Sequence, residues 1–155
     1  MTAPVTIRIQ EADFDVGAEI AALTEGRRDI GAVVTFSGIC RGADDGREVA
    51  ALTLEHYPGM AEAEIGRHVD TAVARWPLTG VTVIHRVGRM RPGDNIVLVL
   101  TASAHRQAAF AAAEFLMDFL KAHAPFWKRE ERADGTGWVD AQHHDDAAAA
   151  RWDKD

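Results

Sequence analysis

Two lysines are the residues in this chain best suited to chemistry. The sequence holds 17 Lys and Arg residues, yet lysine occurs only at 121, 128 and 154. Arginine keeps its proton at any ordinary pH, whereas a partly desolvated lysine serves as acid, base or nucleophile. Lys121 and Lys128 therefore look like positions where arginine would not do. A plainer reading stays open for each. A lysine in the last turn of a helix complements the helix C-terminus, and Lys128 fits a solvated strand. The second group is His105-Arg106, close behind Ser103, a residue type that caps helix N-termini through its hydroxyl. Basic residues are the wrong charge for a helix start, where the macrodipole favours anions. They make sense there if an anion is held by the free N–H groups and the two side chains together. The alternative is that both point into water or reach a nearby carboxylate. Arg41 ends an apolar segment and opens a loop. Its planar fork suits phosphate recognition, although a lone arginine is more often a surface residue.

Other residues invite chemistry less strongly. Cys40 lies in an apolar segment, where a free cysteine behaves as a small core residue rather than a thiolate nucleophile. Phe126-Trp127 could stack on a flat ring, but such a pair reads better as a hydrophobic anchor for its strand. His56 fits a hydrogen-bonded histidine at a strand end better than a pocket residue. His143-His144 beside Asp145-Asp146 has a metal-like composition. Adjacent ligands on a tail make a poor site without groups to orient them, and no metal is expected.

The elements that must position these residues follow from periodicity. Val5, Ile7 and Ile9 alternate and predict a half-buried strand. Asp15 is placed to cap a short helix over 16–24. Residues 30–40 are apolar on both sides and predict a central strand. The Gly- and Asp-rich 41–47 predicts an exposed loop. A strand over 48–57 puts Leu52 and Leu54 on one side, and Thr53, Glu55 and Tyr57 on the other. A helix over 60–76 carries Ala61, Ile65, Val69, Ala72, Val73 and Trp76 at helical spacing, and Pro77 stops it. Strands over 80–87 and 95–102 are joined through the Pro92-Gly93 turn. The helix over 104–123 is apolar on most of its circumference, Phe110 included. Only Gln107, Glu114, Asp118 and Lys121 form a polar stripe, so it is expected to be largely buried. Short strands over 126–131 and 137–140 flank a turn, and the tail from 143 is helical or frayed. This order predicts an α+β fold, with a mixed, mostly antiparallel sheet packed by two long helices and a small C-terminal β element.

Composition bounds the function. At 155 residues one domain with a real core is expected. A net charge of −7 argues against a nucleic-acid binder, which needs a basic face. One cysteine excludes an internal disulfide. The opening MTAPVTIRIQ lacks the apolar centre of a signal peptide, and no apolar run is long enough to span a bilayer. The cytoplasm is the expected compartment.

The segments GAVVTFSGICR (31–41), LTLEHYPGM (52–60), WPLTGVTVIHRVGRMRPGD (76–94) and SAHR…LK…PFWK (103–128) occur in order. Together they resemble the catalytic (large) subunit of molybdopterin synthase, over about residues 30–140. The resemblance implies that family's hammerhead-like fold and its reaction. Two sulfurs pass from the C-terminal thiocarboxylate of a small ubiquitin-like subunit to cyclic pyranopterin monophosphate, forming the dithiolene of molybdopterin. That reaction needs proton transfer near neutral pH, and a lysine whose pKa neighbouring cations lower suits it: Lys121 is the first choice for general acid/base and Lys128 the second, with binding of the tail carboxylate or substrate as the alternative role for Lys128. The resemblance also implies an anion pocket of Arg41, His105 and Arg106, with Phe36 on the strand leading into it. No permanently bound cofactor is implied. The expected partners are the small subunit, by its Gly-Gly tail, and a second copy of the chain, giving a heterotetramer. Two positions depart from the family pattern: the loop RGADDGREV lacks an asparagine-containing form, and Gly137 stands where a basic residue often precedes the tryptophan.

Overall fold

The structure, a computed structural model, describes residues 3–44, 46–123, 126–132, 135–139 and 148–154. Its elements are β1 (Val5–Gln10), α1 (Val16–Thr24), β2 (Ala32–Ile39), β3 (Ala43–Asp44), β4 (Arg47–His56), α2 (Met60–Arg75), β5 (Leu78–Arg86), β6 (Gly88–Met90), β7 (Asn95–Ser103), α3 (Arg106–Ala122), β8 (Phe126–Arg132) and β9 (Gly135–Val139). The α+β expectation holds, and the β structure divides into two sheets rather than one.

The first sheet has the order β1-β5-β7-β2, with β1 parallel to β5 and the other pairs antiparallel. Alternation along its strands gives it two apolar faces. Val81, Val83, Val97 and Val99 meet α2 and α3 through Ile65, Val69, Ala112, Phe115 and Leu116. Ile84, Leu98, Leu100 and Ala102 meet Phe14 and Leu23 on the side of α1. Asp15 caps α1 as expected, its Oδ1 accepting the Ala18 N–H at 2.9 Å. The second sheet runs β3-β4-β8-β9, with β6 also on β4. Leu52 and Leu54 face inward as predicted and bury Cys40 and Met90.

Four expectations change. β2 is an edge strand, not a central one. Its Phe36 and Ile39 stay 37% and 53% exposed, so an apolar pattern on both sides does not here mean cover on both sides. The loop over 41–47 contains the two-residue strand β3, paired back on β4. Ser103 does not cap α3. It ends β7, is buried, and donates its hydroxyl proton to the Pro77 carbonyl at 3.1 Å, while His105 takes the N-cap position. Phe110 is 60% exposed, because α3 packs its alanine stripe, not its whole circumference, against the sheet.

The C-terminal segment docks on α3. Trp152 Nε1 donates to Asp118 at 2.6 Å, and the indole meets Trp76 and Phe115 edge-on. Residues 140–147, including His143 and His144, and the turn residues 133–134 lie outside the described residues.

Candidate functional site at one end of the main sheet

Register fixes which candidate residues can meet. β2 runs antiparallel to β7, with Ala32 opposite Ser103 at one end and Ile39 opposite Asn95 at the other. At about 3.3 Å per residue these ends lie roughly 23 Å apart. α3 leaves the Ser103 end and packs back along β7 and β2. At about 1.5 Å per residue it carries Lys121 roughly 22 Å from Arg106. Lys121 thus returns to the Asn95 end, while His105 and Arg106 remain at the other. Arg41 follows β2 directly and so belongs with Lys121.

β8 brings Lys128 to the same end. It starts at Phe126, whose ring stacks on His85 at 4.0 Å between centroids and 17° between planes. His85 is the last but one residue of β5, paired with Val97. Phe126 is therefore the anchor that the sequence suggested. Trp127 points the other way, 43% exposed, its ring edge-on to Tyr57 at 5.0 Å. Lys128, two residues beyond Phe126, faces the same side of β8 as the anchor. It sits opposite Leu54, and its charge acts on both Cys40 and Glu130.

His85 carries a definite electrostatic state. Burial drives its pKa down to about 4, against a backbone hydrogen bond to Arg86 that favours the charged form and with Lys121 and His56 adding like-charge repulsion. The imidazole is neutral at ordinary pH, and Nδ1 lies 2.9 Å from the Arg86 carbonyl oxygen. A neutral imidazole in that contact donates from Nδ1. His56, at the end of β4, lies beside Phe126 and 3.8 Å from Glu62. It packs beside Phe126 at the strand end rather than through a close side-chain hydrogen bond to Glu62.

Arg41 is open, its side chain 78% exposed, with Asp44 3.7 Å away. Phe36 lies on the α3 face of β2, opposite Val99. Gly38 leaves room for its ring, since a Cβ there would stand 3.4 Å from Phe36 Cε1 and 2.5 Å from Val97 Cγ1. Cys40 is buried, and burial first, then the Asp94 carboxylate, pushes its thiol pKa up. A thiol held protonated is no nucleophile at neutral pH.

One chain therefore gathers Lys121, Lys128 and Arg41, with Phe36 on the approach, and leaves His105 and Arg106 at the far end of β2. Sequence reasoning missed His85 and Glu130. The strand pattern 128, 130, 132 puts Glu130 on the face of Lys128, and that alternation was the available signal. Among the described residues no group of three or more His, Cys, Asp or Glu side chains is placed to hold a metal ion.

The family model described as MoaE protein matches residues 9–123. The chain belongs to the MoaE family. A MoaE relative from Mesorhizobium japonicum, named molybdopterin synthase catalytic subunit, is 67% identical over 149 residues, covering 95% of this chain and 92% of its own. The solved MoaE protein of Burkholderia ambifaria superposes with a TM-score of 0.82 at 50% identity, covering 97% of this chain and 99% of that one. A Helicobacter pylori chain shares the MoaE fold with a TM-score of 0.71 at 18% identity, covering 89% and 91%. It was solved in a complex of subunits 1 and 2 of molybdopterin-converting factor.

Proposed function

We propose that the chain is the catalytic subunit of a molybdopterin synthase. It moves two sulfurs from the C-terminal thiocarboxylate of a small ubiquitin-like subunit onto cyclic pyranopterin monophosphate. The observation that carries this reading is the return of Lys121 and Lys128 to one end of the main sheet, beside Arg41, in a chain whose other basic residues, Lys154 apart, are arginines. Thiocarboxylate and cyclic phosphate are both anionic, so fixed cations are needed to bring them together. Opening the cyclic phosphate, adding sulfur and losing water each move a proton. Lys121 is the general acid/base for these transfers and Lys128 the second. Arg41 grips phosphate by its fork. The substrates pass through, and no resident cofactor is required.

The anion set is completed by a second copy of the chain. β2 offers an open edge with exposed Phe36 and Ile39. Two-fold pairing across that edge sets one chain's Ser103 end beside its partner's Ile39 end. His105 and Arg106 of one copy then stand near Arg41, Lys121 and Lys128 of the other. Each such dimer holds two composite sites, one for each small subunit. The reading predicts that substituting Lys121 or Lys128 by Ala lowers turnover while the small subunit still binds. Full turnover in Lys121→Ala would remove that residue's role.

A further inference from the structure

The C-terminal segment meets α3 along its polar stripe, a contact to which the sulfur-transfer reading gives no role. Glu114, Asp118 and Lys121 follow one another at spacings of four and three residues, so they share one face of the helix. Arg151 donates to Glu114 Oε1 at 2.5 Å and to Asp118 Oδ2 at 2.9 Å, and Trp152 Nε1 donates to the same Asp118 oxygen at 2.6 Å. The segment is anchored on α2 as well. Arg75 donates to the Trp152 carbonyl at 3.2 Å and lies over the Trp152 ring, while the indole meets Trp76 and Phe115 edge-on. These contacts leave the Asp118 side chain only 16% exposed. An acid three residues before a lysine on a helix is an ordinary ion-pair partner for it. Such a carboxylate favours the ammonium form, the wrong direction for a lysine that must exchange protons near neutral pH.

From this arrangement we propose that Arg151 and Trp152 are positioning residues for Lys121: they engage the Asp118 carboxylate, so that its charge is matched by the C-terminal segment and not by the lysine one turn further on. The inference rests on the reading of Lys121 as the proton-handling residue. The helix itself also carries Glu114, held by Arg151, and His123 at its C-cap. From α2, Glu64 and His68 face Phe119 and Leu120, and Arg75 faces Phe115. From the sheets come neutral His85, which feels the Lys121 charge, and Lys128 with Arg41 at the same end. Of the acids on α3, Asp118 is the nearest in sequence to Lys121. The state of that one carboxylate therefore decides how much negative charge its own helix presents to the lysine.

Lysine occurs only at 121, 128 and 154, so 13C-lysine labelling of the full chain gives three side-chain signals that NMR can titrate separately. Lys121→Arg and Lys128→Arg assign them. Arg151→Ala leaves Trp152 to anchor the segment and removes the cation from Asp118. The Lys121 titration is then expected to move up by roughly half a pH unit at low salt, the effect of one charge about 6 Å away in water, while Lys128 stays in place. Adding Asp118→Asn to Arg151→Ala removes the carboxylate too and should return Lys121 to its wild-type titration, which a mere loss of packing would not do. An unchanged Lys121 titration in Arg151→Ala, or a shift that Asp118→Asn does not reverse, would overturn the proposal. Trp152→Phe keeps an aromatic anchor and loses the N–H. It should move Lys121 the same way by less, and no movement would remove Trp152 from the role. Turnover of the assembled synthase over the same pH series separates this inference from the reading beneath it. With Lys121 as general base, the acid limb moves up together with the Lys121 signal. A signal that shifts while the limb does not leaves the role of Arg151 standing and removes Lys121 from the chemistry.

Discussion

Arg41 and Arg106 act in the same anion pocket only if they come from different copies of the chain, and that is open to a complementation test. The perturbation is Arg41→Ala in one tagged copy and Arg106→Ala in a second copy with a different tag. In one chain the ends of β2 beside which these residues lie are roughly 23 Å apart, too far for two side chains to share one phosphate. A charge-assisted hydrogen bond is worth about 1.5–3 kcal/mol, so each single variant is expected to lose roughly ten- to hundred-fold in turnover. In a mixed dimer both substitutions fall into one composite site, and the other site has none. Mixed dimers isolated by their two tags should then recover about half of wild-type turnover, since one of two symmetric sites is intact. Turnover at the level of the single variants would refute the reasoning, because it would mean that both arginines serve the same chain's site.

The remaining predictions concern stability. His85 is neutral and buried, with a folded pKa of about 4 against about 6.5 for an unfolded histidine. A depressed folded pKa makes its contribution fully present above pH 6.5 and lost as the pH falls toward 4, by about 3 kcal/mol in total. Denaturant titrations over that range should lose this increment in the wild type and not in His85→Gln. A matching slope in both would locate the effect elsewhere. Gly31 donates its N–H to the Ser103 carbonyl at 3.0 Å, and an added Cβ would stand 2.1 Å from the Ala104 carbonyl oxygen. Backbone cannot move aside cheaply, so Gly31→Ala should cost about 1–3 kcal/mol by thermal unfolding. Gly66→Ala, in the middle of α2 and 3.7 Å from Ile7 Cδ1, should instead be neutral or stabilising by up to about 1 kcal/mol.

Much of the fold was legible because its elements are locally consistent. Asp15 caps its helix, Leu52 and Leu54 alternate inward, and Pro77 follows the end of α2. What the sequence concealed was tertiary. The apolar pattern of β2 is the same whether a strand is covered by its own chain or left at an edge, and β2 is at the edge. Ser103 has the chemistry of a cap, and its Oγ accepts the His105 N–H at 3.3 Å, but β7 runs on to Ser103 and the helix starts later. The two lysines stood out by their rarity, and the fold returns both to one end. The Arg41, His105 and Arg106 set was drawn as one pocket from a resemblance. Register along β2 divides it in two, a fact that no linear spacing contains. Glu130 hid among charged neighbours in KREER, where only the strand's alternation sets it apart from half-buried Glu131.

The proposed role of Lys121 in handling the protons of sulfur transfer is open to a direct assay. Product formation from cyclic pyranopterin monophosphate, with thiocarboxylated small subunit supplied and Lys121→Ala run alongside, tests it most directly. Dithiolene product is expected from the wild type and its loss in the variant, with small-subunit binding retained in both. A wild type that binds the small subunit yet forms no product would contradict the proposed activity and leave a binding module in its place.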